Sequence, residues 1–287
     1  MIQRKIYHII RRHFAKVLDE FERTHNFSED IIRECTRSLV HIVKDEPQVI
    51  KYELLDNKKG LYVKQNKKFI NPCYIVAGGS SLKEFNFELL KYKTTIVSNK
   101  AIFDVPNPSY FITTDYTFLN YLKKENLYET WKDLLCMKFF VGNCISNVIQ
   151  ITDGQITDVR YNLKYSLQDF DRIIICKSAK SVGYDFNNFN SGYNSGFSSF
   201  QLAILLGYNP IYLLGMDMAS SNGDTHYHGG YGRDINRMNI NLDNYSKHFL
   251  NVLEKLKIEK PNLKVISCSS VSLLNQVIEY KPIEEIL

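Results

Sequence analysis

From about residue 72 onward one pattern recurs along the chain: a short apolar run rich in β-branched residues, then a stretch with helical spacing. The apolar runs are 74–77, 95–98, 110–113, 137–141, 172–176, 211–214 and 264–268. The helical stretches include 84–91, 195–206, 243–258 and 270–279. Runs that are apolar at successive positions, not at alternate ones, suit strands buried on both faces. Such strands arise in parallel sheets with helices above and below. Residues 142–170 and 218–242 are polar, show neither period, and read as long loops of the kind that carry function or lack order.

The pattern predicts an α/β fold: a Rossmann-like, doubly wound, mostly parallel sheet. The first 60 residues read differently. Ile6, Ile9, Ile10, Phe14, Val17, Leu18 and Phe21 recur at helical spacing, and Ser28 with Glu29 and Asp30 opens a second apolar period through Val43. A short strand, LYVKQ, lies between two turn-like lysine-rich stretches. The expected organisation is a helical extension over 1–60 and a catalytic domain over 61–287. Arg4, Lys5, Arg11, Arg12 and Lys16 make the first helix basic on its polar side. That side reads as a solvated face of a packing or oligomerisation helix, with contact to an anionic membrane surface as the sharper alternative. A homo-oligomer is expected.

Composition narrows the function classes. The 287 residues carry 36 Lys+Arg against 31 Asp+Glu, a net charge of +5. So mild an excess suits an anionic small ligand and gives no reason to expect a nucleic-acid partner. The six cysteines form no CxxC pair and sit mostly in apolar runs, so they read as buried thiols in a reducing compartment. No apolar run reaches the roughly 18 residues that span a bilayer. The first 21 residues are too interrupted by charge for a secretory signal. A cytoplasmic location is expected, with membrane association through the basic helix left open.

In sheets of this kind ligands bind beyond the carboxyl ends of the strands, so candidate site residues are those just after each run. After the first comes Ala77-Gly78-Gly79-Ser80-Ser81-Leu82, where glycines admit backbone amides to a ligand and a helix start attracts phosphate. It is neither GxGxxG nor a P-loop, and a plain tight turn is the bland alternative. Asn99 follows the second run and offers both donor and acceptor to a ribose or base, or caps a helix. Thr114 and Asp115 follow the third, where the carboxylate suits a sugar hydroxyl, a metal or a helix cap. Asn194, Ser195 and Gly196 open the helix SSFQLAILLGY and form a second anion-cradling candidate. After 211–214 come Gly215-Met216-Asp217 and then the glycine-rich GDTHYHGGYGR. Its His226, Tyr227, His228, Tyr231 and Arg233 suit proton transfer and phosphate stabilisation. No further Cys or His stands nearby in sequence to complete a zinc set with the HxH pair, so no metal is expected there. His8, His13, His25, His41 and His248 read as surface or interface residues.

The segments IVAGGSSLKEF, IVSNKAIF, SGFSSFQLAILLGYNPIYLLGMDM, THYHGG and SCSSVSLLNQVIEY, in that order, resemble two related groups over about residues 72–287. One is the bacterial sialyltransferases of the Campylobacter type. The other is the family of the archaeal hydroxymethylpterin pyrophosphokinase and the motility-associated flagellin glycosylation proteins. The sialyltransferase resemblance implies a metal-independent, inverting transfer of a sialic-acid-like sugar from a CMP-activated donor to a glycan acceptor. It implies no cofactor, a histidine base near THYHGG and tyrosine hydroxyls at the leaving phosphate. It places the nucleotide on Gly78, Gly79, Ser81, Asn99, Ser195 and Gly196. Three departures stand out. The first turn is one residue shorter than the family's and lacks its asparagine. The loop between Asp217 and His226 is much shorter than the family's lid and has no match for the lid's tyrosines. The histidine spacing also differs, so either His226 or His228 fits the base. The departures lean toward the second group, whose chemistry is Mg-dependent diphosphate transfer and would make Asp115 and Asp217 metal ligands. A non-catalytic nucleotide-binding module is the remaining reading.

Overall fold

The computed structural model describes residues 71–143, 149–152, 155–158, 163–176, 182–184, 186–192, 194–220, 226–229 and 235–287. The expected helical extension, its basic face and the LYVKQ strand lie outside these residues.

The strands are β1 (Cys73–Val76), β2 (Thr95–Ser98), β3 (Tyr110–Thr113), β4 (Met137–Asn143), β5 (Ile149–Thr152), β6 (Gln155–Asp158), β7 (Leu163–Ser166), β8 (Arg172–Cys176), β9 (Ile211–Leu214), β10 (Val265–Ser267) and β11 (Glu279–Tyr280). The helices are α1 (Ala101–Asp104), α2 (Tyr116–Lys124), α3 (Tyr128–Asp133), α4 (Ser195–Leu205) and α5 (Ile235–Glu259). Eight strands form one sheet in the order β11-β10-β9-β1-β2-β3-β4-β8, and every pairing in it is parallel. The expected α/β doubly wound sheet is present.

Its two faces are read from β1. Cys73, Ile75 and Ala77 enter one core with Phe197, Phe200, Phe249 and Leu253 of α4 and α5. Tyr74 and Val76 enter the other with Ala101, Ile102, Phe118, Leu122 and Trp131 of α1 to α3. Both faces are dry, which is why the run is apolar at every position.

The strand order also locates the crevice. From β1 the chain steps outward through β2, β3, β4 and β8, then returns to lay β9 on the other side of β1. The direction of winding reverses between β1 and β9, the position in such sheets where ligands bind beyond the carboxyl ends of the strands. α4 packs across β1, β2 and β3 and brings its amino end to the carboxyl ends of those strands.

Several elements differ from the sequence expectation. The stretch 142–170, read as irregular, holds an antiparallel meander of β5, β6 and β7. Its strands, IQIT, QITD and LKYS, alternate apolar with polar side chains and so fail an apolar-run criterion. The two residues between β5 and β6 are Asp153 and Gly154, the dipeptide most typical of tight hairpins. The meander is tied to the helices through Tyr165, whose ring lies 5.8 Å from that of Tyr128. The expected helices at 84–91 and 270–279 shrink to the 3-10 turns Phe87–Leu90 and Leu273–Gln276. Conversely, α2 is not among the helical stretches read from the spacing, although Asp115, for which a helix cap was one expectation, caps it and Phe118, Leu119 and Leu122 are buried at helical spacing. α5 begins at Ile235, inside the stretch read as loop.

His248, expected at a surface or an interface, is buried on α5 with its ring 4.9 Å from that of Phe197. Cys73 is buried and Cys136 and Cys268 are half-buried, these three as free thiols. Burial pushes the Cys268 thiol up to about 12, so it stays protonated and unreactive. Among the described residues no helix is long and apolar enough to cross a membrane.

Candidate functional site

The turn after β1 is laced to the turn after β9. The Ala77 N–H donates to Leu214 O at 2.9 Å, and the Gly79 N–H to Gly215 O at 2.8 Å. This approach leaves no room for a side chain at position 79: a Cβ there would lie 2.5 Å from Gly215 O and 2.5 Å from Asp217 Oδ2. Gly215 itself has φ +63°, a conformation that favours glycine.

Asp217 holds the turn from the β9 side. It is 2% exposed. Its Oδ1 accepts from the Ser81 hydroxyl at 2.6 Å, and its Oδ2 from the Ser81 N–H at 2.9 Å and the Ser80 hydroxyl at 3.4 Å. Ser80, Ser81 and Asp217, each a candidate for direct ligand contact, thus bond to one another and brace the glycine turn.

The ends of β2 and β3 meet the amino end of α4. Asn99 adopts φ +52° after β2, and its Oδ1 accepts from the Thr113 hydroxyl at 2.8 Å and the Ser195 hydroxyl at 3.4 Å. The Thr114 N–H donates to Ser195 Oγ at 3.1 Å, and the two hydroxyls lie 3.2 Å apart. Asn194 is the helix cap: its Oδ1 accepts from the Phe197 N–H at 2.7 Å. The first-turn amides of α4 have no partner within the helix, and its dipole adds positive potential at this end. Gly196 keeps the helix start close to β1, since a Cβ there would lie 3.2 Å from Met216 Cε and 3.9 Å from Ala77 Cβ. Asp115 caps α2 through the Thr117 N–H at 2.9 Å, the blandest of its three expected roles.

The histidine segment lies against the first turn. The Tyr227 N–H donates to Gly78 O at 3.0 Å. A Cβ on Gly78 would lie 2.8 Å from His226 Cδ2 and 3.3 Å from His228 Nε2. The two imidazoles, with ring centroids 5.0 Å apart, therefore both sit on this glycine. Tyr227 does not face the crevice as expected of a phosphate ligand: its ring packs on Phe87 at 5.5 Å and its hydroxyl donates to the Asp104 carboxylate. Its half-buried ring joins the core under α1 to α3, and that apolar contact outweighs any pull toward the polar cleft. Tyr231 and Arg233 lie outside the described residues.

Burial, then the positive fields of His226 and Lys100, push His228 down to about 3. It is neutral at physiological pH. The sign for stability follows from linkage. Between about 3 and its ordinary 6.5, the unfolded chain holds a proton on His228 that the folded chain lacks. Stability is therefore undiminished above 6.5 and falls as pH drops through that window. His228→Asn should flatten this fall, read as urea midpoints between about pH 6 and about pH 4. Equal slopes for the two proteins would show that the ring is not desolvated.

Gly78, Asn99, Thr114, Gly196, His226 and His228 are all half-buried, so this corner of the sheet reaches solvent and is not a sealed core. Three segments distant in sequence, around positions 79, 195 and 227, converge there. Among the described residues no group of three or more His, Cys, Asp and Glu could hold a metal ion. A concavity of about 350 Å³, lined in part by Tyr208, Asn209, Lys260 and Leu263, lies at the amino ends of β9 and β10, away from this chemistry. Sequence reasoning passed over Phe87, Lys100 and Asp104. Lys100 stood next to Asn99 and could have been flagged by its position at a strand end, whereas Phe87 and Asp104 carried no local signal.

No family model and no curated protein sequence matches the chain. Among solved structures it is similar to the MAf glycosyltransferase from Magnetospirillum magneticum AMB-1, at 14% identity and a TM-score of 0.41, over 76% of this chain and 34% of that one. It is similar to the sialyltransferase CstII from Campylobacter jejuni in complex with a substrate analogue, cytidine-5′-monophosphate, at 16% identity and a TM-score of 0.37, over 75% of this chain and 86% of that one. The sialyltransferase CST-II in complex with a trisaccharide acceptor and CMP is similar at 18% identity and a TM-score of 0.38, over 74% and 86%. The chain thus spans about a third of the Magnetospirillum protein's length and most of the length of the Campylobacter enzyme.

Proposed function

We propose that this chain is a glycosyltransferase that moves a sialic-acid-like sugar from a CMP-activated donor to a glycan acceptor, with inversion and without a metal. The observation that carries this reading is the pair of imidazoles seated on Gly78, at the winding reversal and beside the amino end of α4. A sugar–phosphate bond is already activated, so a base, a closed cleft and stabilised negative charge suffice for the chemistry.

Each element has a role in that scheme. The Gly78 corner and the first amides of α4 receive the phosphate, and the α4 dipole and the Lys100 ammonium offset its charge. Asn99, held by Thr113 and Ser195, presents its amide to the nucleoside. An imidazole takes the proton of the acceptor hydroxyl while that oxygen bonds to the anomeric carbon. The carbon–oxygen bond to phosphate breaks, and its electron pair leaves on CMP. A group pushed down to about 3 is a poor proton acceptor at neutral pH, so His226 carries the base and His228 stays neutral.

The diphosphotransferase reading is less well served. Its two ligand candidates, Asp115 and Asp217, accept from the Thr117 N–H and from Ser80 and Ser81. The test is incubation with CMP-sialic acid, with and without an oligosaccharide acceptor, in the presence of a chelator. Release of CMP and an inverted product are expected. Failure of any CMP-sugar to bind by calorimetry would remove the proposal, and strict dependence on a divalent metal and ATP would install the alternative.

A further inference from the structure

The two imidazoles owe their placement to the residue between them. Tyr227 is held by three separate parts of the fold. Its N–H reaches Gly78 O in the turn after β1, at 3.0 Å. Its ring packs on Phe87 of the 3-10 turn before β2, at 5.5 Å. Its hydroxyl donates to the carboxylate of Asp104, the last residue of α1. The His228 ring in turn stands edge-on to the Tyr227 ring, at 5.0 Å.

The backbone bond and the packing contact restrain the loop at a point and on a plane. Neither fixes rotation of the Tyr227 ring about its own packing face. A directional bond from the phenol to a charged acceptor does, because a carboxylate bond is short and angle-dependent. Rotation of this ring carries His228 with it, and His226 is the residue just before Tyr227 in the same turn.

We infer that Asp104 is a positioning residue: through the Tyr227 hydroxyl it sets the rotation that brings both imidazoles onto Gly78, and so the reach of the pair toward an acceptor hydroxyl. The activity arm of this inference rests on the transferase reading, while its spectroscopic arm does not. Asp104 is exposed and lies outside the crevice, so its variants need not disturb the fold.

The experiment compares Tyr227→Phe, Asp104→Ala and Asp104→Asn with the wild type in the full chain. The first keeps the ring on Phe87 and the backbone bond to Gly78 and removes only the hydroxyl. Imidazole resonances are followed by NMR against pH with no substrate present. The charged groups facing His228 are His226 on its own loop and Lys100 at the start of α1, and the Tyr227 ring stands edge-on to it. In Tyr227→Phe and Asp104→Ala the His228 midpoint should rise toward the ordinary imidazole value as the ring leaves its buried position. Asp104→Asn, which keeps an acceptor oxygen, should fall between.

With CMP-sialic acid and acceptor, kcat should drop about 10- to 100-fold in the first two variants, with KM within about threefold, since a misplacement near 1 Å costs rate more than binding. Unchanged titration in Tyr227→Phe and Asp104→Ala would overturn the inference, as would wild-type kcat in either. A wild type without transferase activity, whose variants still show the shifted midpoint, would sink the transferase reading and leave the positioning role standing.

Discussion

Adding one methyl group at Gly78 should leave the protein folded and cost about 100-fold in transfer. The new Cβ would lie 2.8 Å from His226 Cδ2 and 3.3 Å from His228 Nε2. Both neighbours are the far ends of side chains that can swing away, so the fold absorbs the methyl at little cost. The imidazoles cannot then occupy the positions from which they act. Displacement of a base by about 1 Å is worth about 100-fold in rate. The adjacent glycine gives the control. In Gly79→Ala the Cβ would lie 2.5 Å from the Gly215 carbonyl oxygen and from a buried carboxylate that already accepts three hydrogen bonds. Backbone cannot swing away, so the two turns must part. Overpacking of this kind costs about 1–3 kcal/mol or more, which lowers Tm by roughly 3–10 °C for a domain of this size. Melting curves and initial rates on the two variants separate the effects. A stable, fully active Gly78→Ala protein would show that the imidazoles do not act from where they sit.

His226→Ala should lower transfer by about 100- to 10,000-fold, the usual contribution of a positioned general base, and leave CMP binding within a few-fold of wild type. His228→Ala should cost less, because a neutral ring pushed down to about 3 accepts hydrogen bonds but takes up protons poorly. The pH profile checks the assignment. With His226 as the base, removal of His228 leaves the acid limb of kcat/KM in place. If the limb has its midpoint near 3 and vanishes in His228→Ala, the roles are reversed. If both variants retain full activity, neither ring takes the proton, and the nucleotide-binding module without catalysis becomes the better description.

Much of this was legible in the residues. The apolar runs gave every strand of the central sheet except β11, because a strand buried on both faces has no polar position to confuse the period. Strand ends then pointed to Gly78, Asn99, Thr114, Ser195 and the histidine pair, since a parallel sheet puts its ligands beyond its carboxyl edge. What the sequence hid was the direction of particular side chains. Tyr227 sits between two histidines and reads as a companion of theirs. Only the position of α1, set by the packing of Ile102 and Ala101 against the sheet, shows that its hydroxyl meets Asp104 instead. Asp217 reads as a ligand at a strand end, yet its partners Ser80 and Ser81 lie 136 residues or more away in sequence. The meander escaped the apolar-run criterion because its strands are short and half polar, so the signal in that stretch of sequence was the Asp153-Gly154 dipeptide and not hydrophobicity.

The most direct measurement is a crystal structure of the full chain with CMP. The expected density lies in the crevice between Gly78, Asn99 and the first turn of α4, with the phosphate against the helix amides and within reach of His226 and His228. CMP bound at the opposite end of the sheet, near Tyr208 and Lys260, or no bound nucleotide at saturating concentration, would contradict the claim that these converging corners form a nucleotide site.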